Sequence, residues 1–277
     1  MKFCWFILFN VLAYAWSLPP RVNDAVPLLD LQFRNIHTGR ITNGEPAVED
    51  QFPYQVGLTL QKSIISSSWC GGSLIGENWV LTAAHCTNGA MRVTVYLGST
   101  KRTNPKVSFT VKASNIRQHS GYNAQYLSND ISLIKIPTVA FSSSIQPVRL
   151  PAISSSHSTY AGDYAIASGW GRTSDGSSIA ADLNFVLFQV MSNSVCAGIY
   201  GTSVVTANTI CVYTPDGKST CQGDSGGPLV TVHNNLLIGI TSFVSSAGCQ
   251  SGAPAGFVRV TRYLEWIKAN TGIAYEQ

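Results

Sequence analysis

Three polar residues in this chain have the types and surroundings from which nucleophilic catalysis can be built. Ser225 lies in CQGDSGGP, residues 221–228, where glycines and a proline set the serine in a stretch that neither a regular helix nor the middle of a strand tolerates. A serine hydroxyl is a weak nucleophile at neutral pH and needs a base beside it. Of the five histidines, His37 falls early in the chain, and His119, His157 and His233 sit in polar, loop-like contexts. His85, in LTAAHC, stands between an apolar strand pattern and a cysteine that could pin it. Asp130, in SNDISLIKI, is an acid at the entry of an apolar run, where a carboxylate asks for a partner. Serine, histidine and aspartate brought together attack carbonyls by acyl transfer. Taken singly, the same residues read as a turn serine, a histidine satisfied at a strand end and a turn aspartate.

Strands must do the positioning. Charged residues are only 12% of the 277, while 45% are hydrophobic, which suits many short strands around a large core better than long surface helices. Alternating segments bounded by turn signals predict strands over residues 54–60, 72–81, 91–97, 107–113 and 131–136. After a Ser- and Pro-rich connection over 137–162, the pattern resumes at 164–169, 183–190, 209–213, 228–231, 236–243 and 256–260. Only residues 262–270, with Leu264 and Ile267 on one side and Gly272 as a stop, have helical spacing. The expected fold is all-β: two packed antiparallel six-stranded β-barrels with a C-terminal helix.

The first residues differ from the rest. Lys2, an apolar run over 3–15 and the small residues Ala15 and Ser17 read as a secretory signal over 1–17, too short to span a bilayer. Residues 18–40, with three prolines and no period, read as a propeptide, and 41–277 as the folded domain. Cys4 leaves with the signal, so six cysteines remain for an oxidising, extracellular space: Cys70, Cys86, Cys196, Cys211, Cys221 and Cys249. They allow about 15 pairings. A zinc site from Cys70, His85 and Cys86 lacks the usual ligand spacing, and no metal or cofactor is expected.

Charge argues against a polyanion binder, although a basic groove is the alternative. The chain carries +4, and losing Lys2, Arg21, Arg34, Arg40, Asp24 and Asp30 leaves +2 from Ile41 onward. Residues 78–129 contain no acid but carry Arg92, Lys101, Arg102, Lys106, Lys112 and Arg117. Without interleaved aromatics these read as a solvated basic face, so neither nucleic acid nor membrane is an expected partner.

TAAHC, NDISLIK and CQGDSGGP resemble, in order and content, the three catalytic motifs of the trypsin and chymotrypsin family of serine endopeptidases, over residues 41 to about 270. That family's triad is the archetype of the mechanism, and its roles are carried over here. The resemblance implies that Ser225 attacks the peptide carbonyl, His85 moves the proton, and Asp130 orients the imidazole. It implies an oxyanion hole from the N–H groups of Gly223 and Ser225, with glycine at 223 freeing the backbone to turn inward. It implies a zymogen: a trypsin-like protease cuts between Arg40 and Ile41, and the new amino group pairs with Asp224. Disulfides Cys70–Cys86, Cys196–Cys211 and Cys221–Cys249 are implied in the same way.

Specificity is less closely matched. The resemblance puts Ser219 at the base of the substrate pocket, where trypsin-like members carry Asp, and Val244 and Ala255 on its walls, with Ser242 and Val244 pairing the substrate backbone. A neutral base does not bind Arg or Lys, so large hydrophobic residues before the cut are expected, with small aliphatic ones as the elastase-like alternative. Phe243 replaces the tryptophan usual in trypsin-like members, and residues 97–106 lack the carboxylates of a calcium loop. The short propeptide and SFVSSAGC resemble insect digestive chymotrypsin-like enzymes. The expected partners are protein and peptide substrates, the activating protease and protein inhibitors, for a secreted monomer in the gut lumen. The rivals are a non-catalytic binding homologue and a structural β-domain, which leave the joint presence of three motifs unexplained.

Overall fold

The computed structural model describes residues 25–27 and 41–275. Residues 1–17, expected to be a signal, Arg40 and most of residues 18–40, expected to be a propeptide, lie outside the described residues. Two short strands, β1 (Ala25–Pro27) and β2 (Glu45–Pro46), precede the barrels and join the second of them. The first barrel holds β3 (Gln55–Gln61), β4 (Ser67–Gly76), β5 (Trp79–Thr82), β6 (Arg92–Leu97), β7 (Val107–Lys112), β8 (Ile116–Gln118) and β9 (Ser132–Lys135). The second holds β10 (Tyr164–Gly169), β11 (Asn184–Met191), β12 (Thr209–Val212), β13 (Pro228–Thr231), β14 (Leu237–Ser245) and β15 (Ala255–Arg259). Three helices are present among the described residues: α1 (Ala84–Thr87), α2 (Asn193–Tyr200) and α3 (Leu264–Thr271).

All strand pairings are antiparallel, and each half closes on itself. In the first sheet the order is β7-β6-β3-β4-β5-β9-β8. A single 3-10 turn at Ala113–Asn115 separates β7 from β8, so the two are halves of one bent strand that pairs β6 at one end and β9 at the other. In the second, β10, β11, β12, β15, β14 and β13 form a ring, with β1 added to β14 and β2 to β11. Both are thus six-stranded barrels, with their interiors supplied by alternation: Val93, Val95 and Leu97 of β6 point inward while Arg92 is exposed. β14 is buried throughout. Leu237 and Ile240 join the first barrel's apolar cluster, and Ile238 and Val244 join the second's.

Three expectations need correction. The segment 72–81 is a hairpin, with β4 and β5 meeting at Glu77 and Asn78; the apolar residues on both sides mask the turn chemistry of Gly76-Glu77-Asn78. Helix α2 is an unexpected element. The Ser192 hydroxyl accepts from the Val195 N–H at 3.4 Å to cap its start, and only Cys196 and Tyr200 are buried, too few for a period to show. The C-terminal helix begins at Leu264 because Val260–Arg262 form a 3-10 turn; Leu264 and Ile267 are its buried face, and it closes at Gly272.

Candidate active site

His85 follows β5 in the short helix α1, and the Cys70–Cys86 disulfide ties that helix back to β4. Asp130 lies just before β9, which pairs β5. The two meet in the interior: one Asp130 oxygen accepts the His85 backbone N–H at 2.7 Å, and the other is 2.7 Å from His85 Nδ1. An ionised carboxylate only accepts, so Nδ1 carries a hydrogen, while Nε2 lies 3.7 Å from Cys86 Sγ. The hydroxyl of Ser242, from β14 of the second barrel, donates to that second oxygen at 2.7 Å. Burial pushes the Asp130 carboxyl upward, but the His85 ring and the hydrogen bonds from His85 and Ser242 outweigh it and hold it below the usual carboxylate value.

Ser225 sits on the turn before β13, and its carbonyl accepts from the Gly71 N–H of β4 at 2.7 Å, joining the second barrel to the first. Its hydroxyl is wholly buried and has no hydrogen-bond partner among the described residues. The turn is closed by Asp224 N–H donating to the Cys221 carbonyl and Gly227 N–H to the Asp224 carbonyl, both at 2.9 Å. Gly223 has φ +95°, and a Cβ there would come within 2.8 Å of Ile179 Cγ2, so only glycine fits. At Gly226 a Cβ would fall 2.1 Å from Thr82 Oγ1, which brings the two barrels into contact directly behind the serine. The N–H groups of Gly223 and Ser225 donate to no other described residue.

The Asp224 side chain points away from Ser225 into the second barrel, where it accepts from Gly171 N–H at 2.8 Å and Cys221 N–H at 2.9 Å. Burial raises its carboxyl to about 7 despite those two donors, and no ion pair among the described residues includes it. Ile41 is fully buried. Its neighbour Thr42 donates its hydroxyl to the Ser219 carbonyl at 2.7 Å and accepts the Ser219 N–H at 3.3 Å, stitching the ITNG start to the approach to the serine turn.

Ser219, Val244 and Ala255 are all buried. Val244 and Ala255 belong to one apolar cluster with Ile41, Cys221 and Cys249, and the Ser219 hydroxyl is without a partner among the described residues. Phe243 turns the other way and packs edge-on against Tyr200 of α2, ring centroids 5.4 Å apart, so that helix absorbs the change from tryptophan. The disulfides are Cys70–Cys86, Cys196–Cys211 and Cys221–Cys249. Cys70 and Cys86 therefore offer no thiolates beside His85. Of the residues singled out as a triad, His85 and Asp130 meet directly, while Ser225 joins the first barrel through Gly71 and does not hydrogen-bond the His85 ring; the Ser242 hydroxyl is a contact that the sequence reading left out. A buried hydroxyl on an apolar strand was the available signal, since such a group requires a partner.

The family model described as Trypsin matches residues 41–267. The chain belongs to the trypsin family. It is a trypsin-family serine protease, a hydrolase of peptide bonds in proteins and peptides. Serine protease 1 of Drosophila melanogaster is 51% identical, covering 90% of each chain. Collagenase of Hypoderma lineatum is 45% identical, over 87% of this chain and 90% of that one. The solved structure of HL collagenase superposes with a TM-score of 0.78 at 43% identity, covering 84% of this chain and all of the other.

Proposed function

We propose that this trypsin-family member is a secreted endopeptidase made as a zymogen, with His85, Asp130 and Ser225 as its catalytic residues. The observation that carries the reading is the His85 ring held through Nδ1 on the buried Asp130, together with a buried Ser225 hydroxyl that has no partner among the described residues, on a turn that packs against Thr82 at the end of β5. Ser225 Oγ bonds to the substrate carbonyl carbon and its proton passes to His85 Nε2. The C–N bond then breaks, the amine leaves with that proton, and a water activated by His85 hydrolyses the acyl-enzyme. The unpaired N–H groups of Gly223 and Ser225 stabilise the oxyanion; losing one such donor costs about 3 kcal/mol in transition-state stabilisation.

Residues 1–17 are the signal, 18–40 the propeptide and 41–277 the peptidase domain. A cut between Arg40 and Ile41 frees an ammonium group to neutralise Asp224, a buried carboxyl for which a cation is the stabilising partner. The neutral Ser219 base and apolar walls of Val244 and Ala255 favour large hydrophobic residues before the scissile bond, for a digestive, extracellular role. The test is tryptic activation followed by N-terminal sequencing and hydrolysis of peptides that differ only in the residue before the cut. Activity that appears with a new Ile41 terminus, strongest on Phe, Tyr, Leu or Met, supports the reading. Activity without that cut sinks the zymogen assignment, and a preference for Arg sinks the pocket.

A further inference from the structure

The strand β14 has an edge that its barrel does not use. Its pairing with β13 ends at Ile240, opposite Pro228, whereas its pairing with β15 runs on to Phe243. On the unused side, residues 243–245 present backbone donors and acceptors next to Ser242, whose hydroxyl holds Asp130. The backbone of β1 takes that edge: Ala25 lies opposite Ser245, Val26 opposite Val244 and Pro27 opposite Phe243, antiparallel. The strand therefore runs toward Ser242 and the catalytic seam. In the uncleaved chain Ser225, Ser242, Val244 and Ser245 are each at most 2% exposed, although a substrate must reach them.

We propose that residues 25–27 occupy the substrate-backbone edge of β14 in the precursor, so that the propeptide is an intramolecular, substrate-like competitor until the chain is cut. This rests on the reading of Ser242 and Val244 as the substrate's backbone partners. The occupant is β-augmentation by the chain's own segment, in the mode by which an added peptide strand gains main-chain bonds at a sheet edge. In sequence Pro27 is followed by Leu28, a side chain of the class proposed for the pocket. Three paired residues hold weakly by themselves. Tethered through residues 28–40 to Ile41, they act at an effective concentration on the order of millimolar, and a cut at Arg40 abolishes that advantage by dilution. The propeptide has no cysteine to retain it afterward. The device adds a block on substrate entry to the missing ammonium at Asp224, so the two forms of latency are separable.

Amide hydrogen exchange at residues 243–245 in the uncleaved Arg40→Gln precursor, with and without Val26→Pro, measures the pairing without using activity. Slow exchange in the precursor, faster by about tenfold in Val26→Pro, is expected from the loss of one or two backbone bonds. Equal rates in both overturn the proposal. With the tryptically activated enzyme, a peptide of residues 18–40 should raise KM for a chromogenic substrate without changing kcat, and the Val26→Pro peptide should be about tenfold weaker. Absence of competition, or equal competition by both peptides, also overturns it. An activated enzyme that hydrolyses nothing, with the exchange pattern intact, would instead remove the proposed catalytic function and leave the pairing standing.

Discussion

Ser242 Oγ and His85 Nδ1 share one oxygen of Asp130, each at 2.7 Å, although they come from different barrels. The second barrel thereby fixes the carboxylate on which the first barrel's histidine depends. Ser242→Ala removes a bond to a charged group and should cost about 1.5–3 kcal/mol near neutral pH. The pH sign follows from Asp130's depressed carboxyl: its contribution is present above the unfolded value of 3.8 and is lost as the pH falls through the lower folded value. Denaturant melts of wild type and variant should therefore differ at pH 7, and the gap should narrow as the pH is taken progressively below 3.8. A gap that persists in acid contradicts the assignment of the bond to the ionised carboxylate.

Asp224 behaves in the opposite sense while the chain is uncleaved. Its folded carboxyl, raised to about 7 from 3.8, binds a proton more tightly than in the unfolded chain, so stability falls as pH rises across that window. In the Arg40→Gln precursor, Asp224→Asn should flatten this decline by close to one proton's slope. Parallel pH–stability curves for the two proteins count against the buried, unneutralised carboxyl.

Asp130→Asn should lower kcat by about 10⁴-fold, the size of this effect in the trypsin family's archetypal triad, with little change in KM. The loss arises because an amide stabilises the wrong imidazole tautomer. Steady-state kinetics at saturating substrate check it; a fall confined to KM contradicts a role in orienting His85.

The proposed pocket, with Val244 as one wall, is tested by Val244→Gly. Removing that wall should raise kcat/KM for Phe and Tyr substrates relative to Ala by about tenfold, the scale set by one or two methylenes in an apolar pocket. Wild-type preference for Ala over Phe would transfer the proposal to the elastase-like alternative.

Much of this arrangement was legible in the residues. Turn signals and alternation locate most barrel strands because each exposes one face, as Val93, Val95 and Leu97 show against Arg92. The hairpin at Glu77 and Asn78 escaped because β5 is buried on all four residues and so has no alternation to mark its start. Helix α2 escaped because eight residues with two buried positions carry little periodic signal. For the candidate site, His85, Asp130 and Ser225 were picked out through motif order, whereas the meeting of His85 with Asp130 is set by the pairing of β5 with β9, and the place of Ser225 by the Gly71 bond to its carbonyl. Those contacts span long stretches of chain that local pattern does not connect. The Ser242 hydroxyl was hidden for the same reason, 112 positions from Asp130.

The most direct measurement is the site of covalent labelling by a fluorophosphonate after tryptic activation, read by peptide mass spectrometry on wild type, Ser225→Ala and the Arg40→Gln precursor. One adduct is expected, on Ser225, in the activated wild type, none in Ser225→Ala despite a retained native melt, and at most slow labelling of the precursor. An adduct on another residue, or unchanged labelling and hydrolysis in Ser225→Ala, would contradict the assignment of Ser225 as the nucleophile.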